Sequence, residues 1–276
     1  MTFAIMKQPC VSVLMPAYNA QKYIGEAIES ILNQTYKNIE LIVVDDASTE
    51  NTWDVVCKYA SKDKRMVIHR NEKNLKLSKT LNTCIMLSTG EYLARMDADD
   101  ISLPQRISSQ VAFLEENHDV GVVGATIEII DSKGRPIGKR EYHTSDKDIR
   151  AHIFKYSPFA HPVIMMRKDI LITSGLYNDH YNPAEDYELY FRMGAISKFG
   201  NLRETGLKYR VVDKSMTTGS MQRMELKTIE IRKKFSKNSH YRFTYFDHIY
   251  NMLHLASIYL LPAKARLYIF NLLRNS

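Results

Sequence analysis

Cysteine is scarce in this chain. Its 276 residues hold three, Cys10, Cys57 and Cys84, an odd number with no C-x-x-C spacing. That argues against a disulfide framework and against a cysteine-built zinc site, and it suits a reducing compartment. Glycine and proline, 11 and 8 residues, are too few for a collagen-like or low-complexity chain. No stretch approaches the ~18 uninterrupted apolar residues needed to span a bilayer. The richest run, Leu255 to Ala263, is broken by Pro262 and followed by Lys264 and Arg266. The N-terminal Met-Thr-Phe-Ala-Ile-Met-Lys has no positive segment ahead of an apolar core and no small-residue cleavage site. A cytoplasmic protein is therefore expected, built as one large domain or one domain with an appendage.

Charge is present but unevenly placed. Residues 1–202 carry 24 basic and 26 acidic side chains, a net of −2, whereas residues 203–276 carry 14 and 5, a net of +9. A basic tail attracts phosphate-rich partners. The acidic body and the lack of any zinc-finger or RNP pattern argue against nucleic acid as that partner.

Hydrophobic periodicity gives the fold class. Val11–Met15, Ile39–Val44, Met66–His69 and Tyr92–Met96 read as buried strands. Between them, Tyr23, Ile24, Ala27, Ile28, Ile31 and Leu32 make one helical stripe. Trp53, Val56, Cys57 and Ala60 face inward on a second helix that Ser48 to Asn51 can cap, and Ser78–Leu87 makes a third. Strands alternating with helices at this spacing mean an α/β protein with a parallel sheet. Val120–Ile130 is a longer β run, returning from Ile137 after a turn. His161–Met166 reads as another strand and Glu185–Met193 as a helix. The chain is helical and basic from about Met221.

Polar residues follow the strand ends. In open α/β sheets ligands bind beyond the carboxyl ends of the strands, so these segments should converge. Asp97, Asp99 and Asp100 lie within four residues, and such carboxylates repel unless something positive sits among them. A divalent cation with oxygen preference would serve; an acidic loop before the helix after Pro104 is the other reading. Tyr18 offers a ring for base stacking and Asn19 an amide, or Pro16-Ala-Tyr-Asn19 is only a strand-to-helix turn. Asp45 and Asp46 could accept from a base N–H, or cap a helix.

Taken together, the ordered segments resemble the family-2 glycosyltransferases. They are Val-Ser-Val-Leu-Met-Pro-Ala-Tyr-Asn19, Ser30-Ile-Leu-Asn-Gln-Thr-Tyr36, Glu40-Leu-Ile-Val-Val-Asp-Asp-Ala-Ser48, Asn74-Leu-Lys-Leu-Ser-Lys-Thr-Leu-Asn82, Thr89-Gly-Glu-Tyr-Leu-Ala-Arg-Met-Asp-Ala-Asp-Asp100 and Glu185-Asp-Tyr-Glu-Leu189. The resemblance covers roughly residues 10–212. It implies a GT-A fold over residues 1–220, with a nucleotide-binding part at about 10–105, an acceptor part at about 106–220, and a basic helical extension over 221–276. It also implies a nucleotide-sugar donor, here a UDP-sugar, a divalent metal (Mn²⁺ or Mg²⁺), and inversion at the anomeric carbon. By residue, it puts Pro16, Tyr18, Asn19, Asp45 and Asp46 in the nucleotide pocket, Asp97 toward the ribose or a metal-bound water, and Asp99 on the metal.

Inversion in one displacement needs one base to take the acceptor's proton, and Glu185-Asp186 is the candidate pair. Asn182-Pro183-Ala184-Glu185 fits the first positions of a helix, with Glu185 reaching back to the Asn182 N–H as in a capping box. That leaves Asp186 as the freer carboxylate, and the family motif favours it as base. A helix N-terminus depresses a carboxylate pKa, so desolvation must compensate. Glu185, His161 and Tyr190 are expected on the acceptor side, with a structural role as the other reading of His161. Three departures from the family stand out: Lys76 replaces a frequent Gly, Tyr190 a frequent Trp, and no His follows Tyr209-Arg210.

The tail combines Arg232-Lys-Lys234, Lys237 and Arg242 with Tyr241, Phe243, Tyr245, Phe246, Tyr250 and Tyr259, then a leucine-rich stretch. This composition suits a helix lying on an anionic membrane face, or helices packed on the catalytic domain. The first would suit a polyprenyl-diphosphate-linked or growing oligosaccharide acceptor in surface-polysaccharide (O-antigen or capsule) synthesis, at the inner face of the cell membrane. A sugar-nucleotide nucleotidyltransferase would need a Gly-rich, Arg-bearing loop after the first strand, which is missing. A non-catalytic, membrane-associated nucleotide-sugar-binding protein is the remaining alternative, and intact Asp97, Asp99 and Asp186 oppose it.

Overall fold

The strands β1 (Val11–Ala17) and β2 (Ile39–Asp45) are apolar on both faces, a pattern that only a sheet covered on both sides tolerates. In the computed structural model, which describes residues 8–212 and 218–275, they pair in parallel, Val11 opposite Ile39 and Ala17 opposite Asp45. β3 (Met66–Arg70) extends the sheet past β2, and β4 (Tyr92–Arg95) flanks β1 on the other side, both parallel. Helices α1 (Ile24–Leu32), α2 (Thr52–Ala60) and α3 (Leu77–Leu87) make the crossovers. The stripe Ile24, Ala27, Ile28 and Ile31 of α1 is buried as its spacing predicts. The loops that follow β1, β2 and β4 therefore leave the sheet at one edge.

Beyond β4 the sheet changes character. β8 (Met165–Arg167) is antiparallel to β4 and to β6 (Val120–Ile130). β9 (Lys198–Arg210) runs parallel to β6. β5 (Ile101–Ser102) pairs with β9, and β7 (Pro136–Arg140) returns on β6. Helices α4 (Arg106–Glu116), α5 (Asp146–His152), α6 (Lys168–Ser174) and α7 (Glu185–Gly194) cover this half.

Two local expectations change. His161–Met166 is not one strand: His161–Val163 forms a single 3-10 turn, and pairing starts only at Met165. Pro162 has no N–H to give a ladder. Nor does Ser48 cap α2, whose N-cap is Asn51 without a side-chain bond. The Ser48 hydroxyl instead donates to Asp45 and accepts from the Asn19 N–H at 2.9 Å, tying the β1 and β2 loops together.

The C-terminal helices are α8 (Thr218–Phe235), α9 (Tyr245–Leu260) and α10 (Ala263–Asn275). Ile231 and Phe235 of α8 are buried, Phe235 stacked on Phe191 of α7 at 4.7 Å. A reciprocal Thr244–Asp247 capping box starts α9. Arg232, expected in the basic surface, is buried and donates to the Tyr187 hydroxyl at 3.0 Å and to Asn251 at 3.2 Å. Arg266 is likewise buried and paired with Glu225 at 2.7 Å, joining α10 to α8. These helices thus pack on the α/β body, yet Tyr245, Phe246, Met252, Leu253, Tyr259 and Leu260 stay exposed. Among the described residues, no helix is long and apolar enough to cross a membrane.

Gly90 joins α3 to β4 where no side chain fits. Its N–H donates to the Ser12 hydroxyl at 2.8 Å, and a Cβ there would lie 2.7 Å from the Cys10 carbonyl and the Ser12 nitrogen. Both neighbours are backbone of, or next to, the central strand. Gly90→Ala should lower unfolding stability by about 1–3 kcal/mol, the range for overpacking, as read from the urea midpoint.

Candidate active site

A cleft of about 460 Å³ opens at the strand edge where the loops converge. Pro16, Tyr18 and Asn19 line it from the β1 loop, Asp46 from the β2 loop, and Asp97 and Asp99 from the β4 loop. Six of the seven residues expected to hold donor and metal are thus brought together. The seventh, Asp45, is not on the wall. It is fully buried, accepts from Arg70 at 3.0 Å and from Ser48, and holds the loop from beneath. The side-by-side carboxylates divide because strand alternation points them to opposite sides.

The acidic group rests on a buried arginine. Arg95, the last residue of β4, is 2% exposed and grips Asp97 through both terminal nitrogens, at 2.6 and 2.5 Å. Burial opposes its charge, but Asp97 more than offsets this and keeps the guanidinium protonated. Each of Asp97, Asp99 and Asp100 offers an oxygen within 4.8 Å of the others. Burial, then the charge on Asp97, pushes Asp99 up to about 6. Asp100 is also raised, first by burial and then by its two acidic neighbours. One Asp100 oxygen accepts from the Arg210 N–H at 2.8 Å, while the other is buried without a partner. A hard divalent cation fits this donor set: the ligands are all oxygen, mutually repelling and partly unpartnered.

In the sequence Asp100 stands only as part of the three-carboxylate cluster, and Arg210 has no assigned role. Arg210 donates to the Asp99 carbonyl at 2.8 Å and to Glu26 at 2.6 Å, and its guanidinium lies over Tyr23 at 4.5 Å. It clamps the end of β9 onto the acidic loop. Only its place after Tyr209 could have marked it, and spacing alone does not.

Asp46 faces the cleft but is largely occupied. One oxygen accepts from Asn71 at 2.7 Å and the Leu75 N–H at 2.8 Å, and the other from the Lys76 N–H at 2.9 Å. These bonds hold the 71–76 loop against the cleft. Lys76 adopts φ 71°, ψ 168°, a region that essentially only glycine occupies. Lys76 also lines the cleft and brings a cationic residue to it.

α7 presents the second acidic pair. It begins at Glu185, with Ala184 as N-cap and no side-chain cap. The expected capping box is therefore absent: Glu185 is the first helical residue, and the Asn182 N–H goes to the Asp179 carbonyl. Glu185 is 3% exposed, with one carboxylate oxygen unpartnered. Burial, then the charge of Asp186, pushes it up to about 7. Asp186 is half-buried. Burial raises its pKa against the opposing effects of the Tyr187 N–H and Arg95. Desolvation thus outweighs the helix N-terminus, as a base there requires.

Tyr190 lies deeper than expected, and His161 is half-buried. The His161 ring bonds the Tyr177 hydroxyl at 2.8 Å, and burial, then Arg95, holds it neutral. Tyr190 is wholly buried, edge-on to Phe159, with its hydroxyl unpartnered. It sits in the core rather than on an acceptor surface, because α7 turns that face toward the sheet.

Two stability measurements follow. Glu185 binds its proton more tightly folded, at about 7 against an ordinary 4.5. Its stabilising contribution is therefore full below the unfolded value and is lost as pH rises through the folded one. Glu185→Gln should match wild type in melting temperature near pH 4.5 and exceed it above pH 7. Lys76→Gly should stabilise the fold by about 1–3 kcal/mol by relieving the backbone, as urea unfolding would show.

Comparison with known proteins agrees with this geometry. The glycosyl transferase family 2 profile matches residues 12–175. An uncharacterized glycosyltransferase of Haemophilus influenzae is 37% identical over 212 residues, covering 74% of this chain and 66% of that protein. The O-antigen biosynthesis glycosyltransferase WbnJ of Escherichia coli is 32% identical over 235 residues, 83% of this chain and 90% of WbnJ. Among solved structures, S. aureus TarS 1-349 in complex with UDP-GlcNAc aligns with a TM-score of 0.62 at 20% identity, covering 90% of this chain and 80% of that one. The mannosyltransferase PcManGT of Pyrobaculum calidifontis, in complex with GDP-Man and Mn²⁺, aligns with a TM-score of 0.61 at 18% identity, covering 98% and 82%. At such identities the structural likeness is one of fold, the GT-A fold. With a profile match across more than half its length, the chain belongs to glycosyl transferase family 2.

Proposed function

We propose that the protein is an inverting, divalent-metal-dependent glycosyltransferase that moves a sugar from a UDP-sugar to a hydroxyl of a lipid-linked or growing oligosaccharide in surface-polysaccharide synthesis. The observation that carries this reading is the cluster of Asp97, Asp99 and Asp100 oxygens within 4.8 Å of one another, with Asp97 and Asp99 on the wall of the cleft that Pro16, Tyr18, Asn19 and Asp46 also line. TarS with UDP-GlcNAc, PcManGT with GDP-Man and Mn²⁺, and the O-antigen role in the name of WbnJ support donor, metal and pathway class.

In this account Tyr18 stacks on the base, and Asn19 and Asp46 border it. Asp99, with Asp97 and Asp100, holds the divalent cation, which when bound offsets the charge gathering on the departing diphosphate. Lys76 adds a positive charge to the same cleft. Asp186 takes the proton of the acceptor hydroxyl as that oxygen attacks the anomeric carbon from the face opposite the leaving group. Its raised pKa makes it a stronger base than an ordinary aspartate, and Arg95 opposes the shift. The exposed aromatic and leucine side chains of α9 and α10 would rest on an anionic membrane surface at the cytoplasmic face.

Asp186→Asn should lower transfer about 10²–10⁴-fold, the range for loss of a general base, while UDP still raises the melting temperature. A thermal-shift panel of nucleotide sugars with and without Mn²⁺ checks the donor side, since a true donor stabilises the fold by mass action. Equal turnover by wild type and Asp186→Asn would remove the base assignment.

A further inference from the structure

The acidic loop after β4 is backed by cations. Arg95 lies behind Asp97, with its two terminal nitrogens on the two oxygens of that carboxylate at 2.6 and 2.5 Å. Asp97 turns only its outer part to solvent, its side chain 31% exposed against 2% for Arg95. The backbone of Arg95 is pinned on both sides. Its N–H donates to the Ile164 carbonyl at 2.9 Å, and its carbonyl accepts from Arg106 at 2.6 Å. The Arg95 Nε is buried and has no partner among the described residues, so Asp97 is the side chain that takes its charge. Arg210 closes the loop from β9. Its N–H donates to Asp100 and its Nε to the Asp99 carbonyl, both at 2.8 Å, and it shares its charge with Glu26 at 2.6 Å. Arg95, Arg106 and Arg210 are all buried.

Three carboxylates thus stand in front of three buried guanidiniums. The charge of an oxygen site governs how tightly it holds a divalent cation, and buried charges are little screened by salt. With its charge largely met from behind, this loop offers a bare cation little net attraction. The two-point grip of Arg95 also occupies a lone pair on each Asp97 oxygen. A diphosphate in the cleft supplies the missing negative charge. We propose that Arg95 and Arg210 are positioning residues that keep the acidic loop a weak site for a divalent cation until a nucleoside diphosphate arrives, so that metal and nucleotide bind cooperatively. This rests on the metal and donor reading above and adds that the coupling is set by the protein's own buried cations. By linkage, the metal raises nucleotide affinity by the factor that the nucleotide raises metal affinity.

The test follows Mn²⁺ binding to the full chain by electron paramagnetic resonance, with and without UDP, the Mn²⁺–UDP complex being measured as a blank. UDP should tighten Mn²⁺ binding by wild type about tenfold or more. Without UDP, Arg95→Met should bind Mn²⁺ about tenfold more tightly than wild type, and UDP should then add less. A merely structural role would not raise affinity. Arg95→Lys keeps the charge and should stay close to wild type. Arg210→Gln removes a guanidinium on the other side of the loop and should shift bare Mn²⁺ affinity in the same direction as Arg95→Met. It decides by the same criterion if Arg95→Met fails to fold, as circular dichroism would show. Unchanged or weaker Mn²⁺ binding in the folded variants would mean that the arginines only orient the carboxylates, and would overturn the proposal. So would a wild type whose Mn²⁺ affinity is the same with and without UDP. A wild type that binds no Mn²⁺ even with UDP would overturn the metal reading itself.

Discussion

The site depends on one buried cation. Arg95 stands at the end of β4, beneath five carboxylates drawn from two distant stretches of chain. It bonds Asp97 directly, and its charge lowers the pKa of Asp99, Asp100, Glu185 and Asp186 against the burial that raises them. Its backbone carbonyl is held in turn by Arg106 at 2.6 Å. Removing one partner from such a buried arrangement leaves the rest uncompensated. The acidic loop after β4 and the acidic start of α7 are thus tied to the same guanidinium. This gives a physical reason why the acidic loop after β4 and the N-terminus of α7 meet in one place.

The C-terminal helices join two readings that the sequence set against each other. They pack on the body through Ile231, Phe235, Arg232 and the Glu225–Arg266 pair, and they still expose a broad apolar face. An exposed patch of this kind marks an interaction surface. Buried arginines anchor the helices beside buried Ile231 and Phe235, while other apolar side chains of α9 and α10 stay outside. Residues that looked like lipid-facing charges, Arg232 above all, prove to be internal fasteners.

Much of this was legible in the sequence. Alternating strands and helices announced the sheet, and the polar residues after β1, β2 and β4 were placed at one edge by topology alone. Pro16, Tyr18, Asn19, Asp46, Asp97 and Asp99 accordingly meet in one cleft. What escaped depends on rotation and three-dimensional pairing. Asp45 and Asp46 look equivalent in sequence and both are buried, but only Asp46 reaches the cleft wall. Glu185 fitted a capping box, yet α7 starts at Glu185 itself and leaves that carboxylate buried. Tyr190 faces the sheet because of the helix's rotation, which no local pattern reports. Arg210 acts on residues 110 positions away, a contact without a short-range signature. The 3-10 turn at His161 follows from Pro162, a signal that was present and outweighed by the apolar run after it.

The most direct measurement of the central claim is anomalous diffraction from crystals grown with UDP and Mn²⁺. The account predicts a manganese peak among Asp97, Asp99 and Asp100, with the diphosphate on the open side of the ion and the uracil against Tyr18. A diphosphate bound in the cleft with the manganese elsewhere, or a nucleotide bound away from these aspartates, would contradict it.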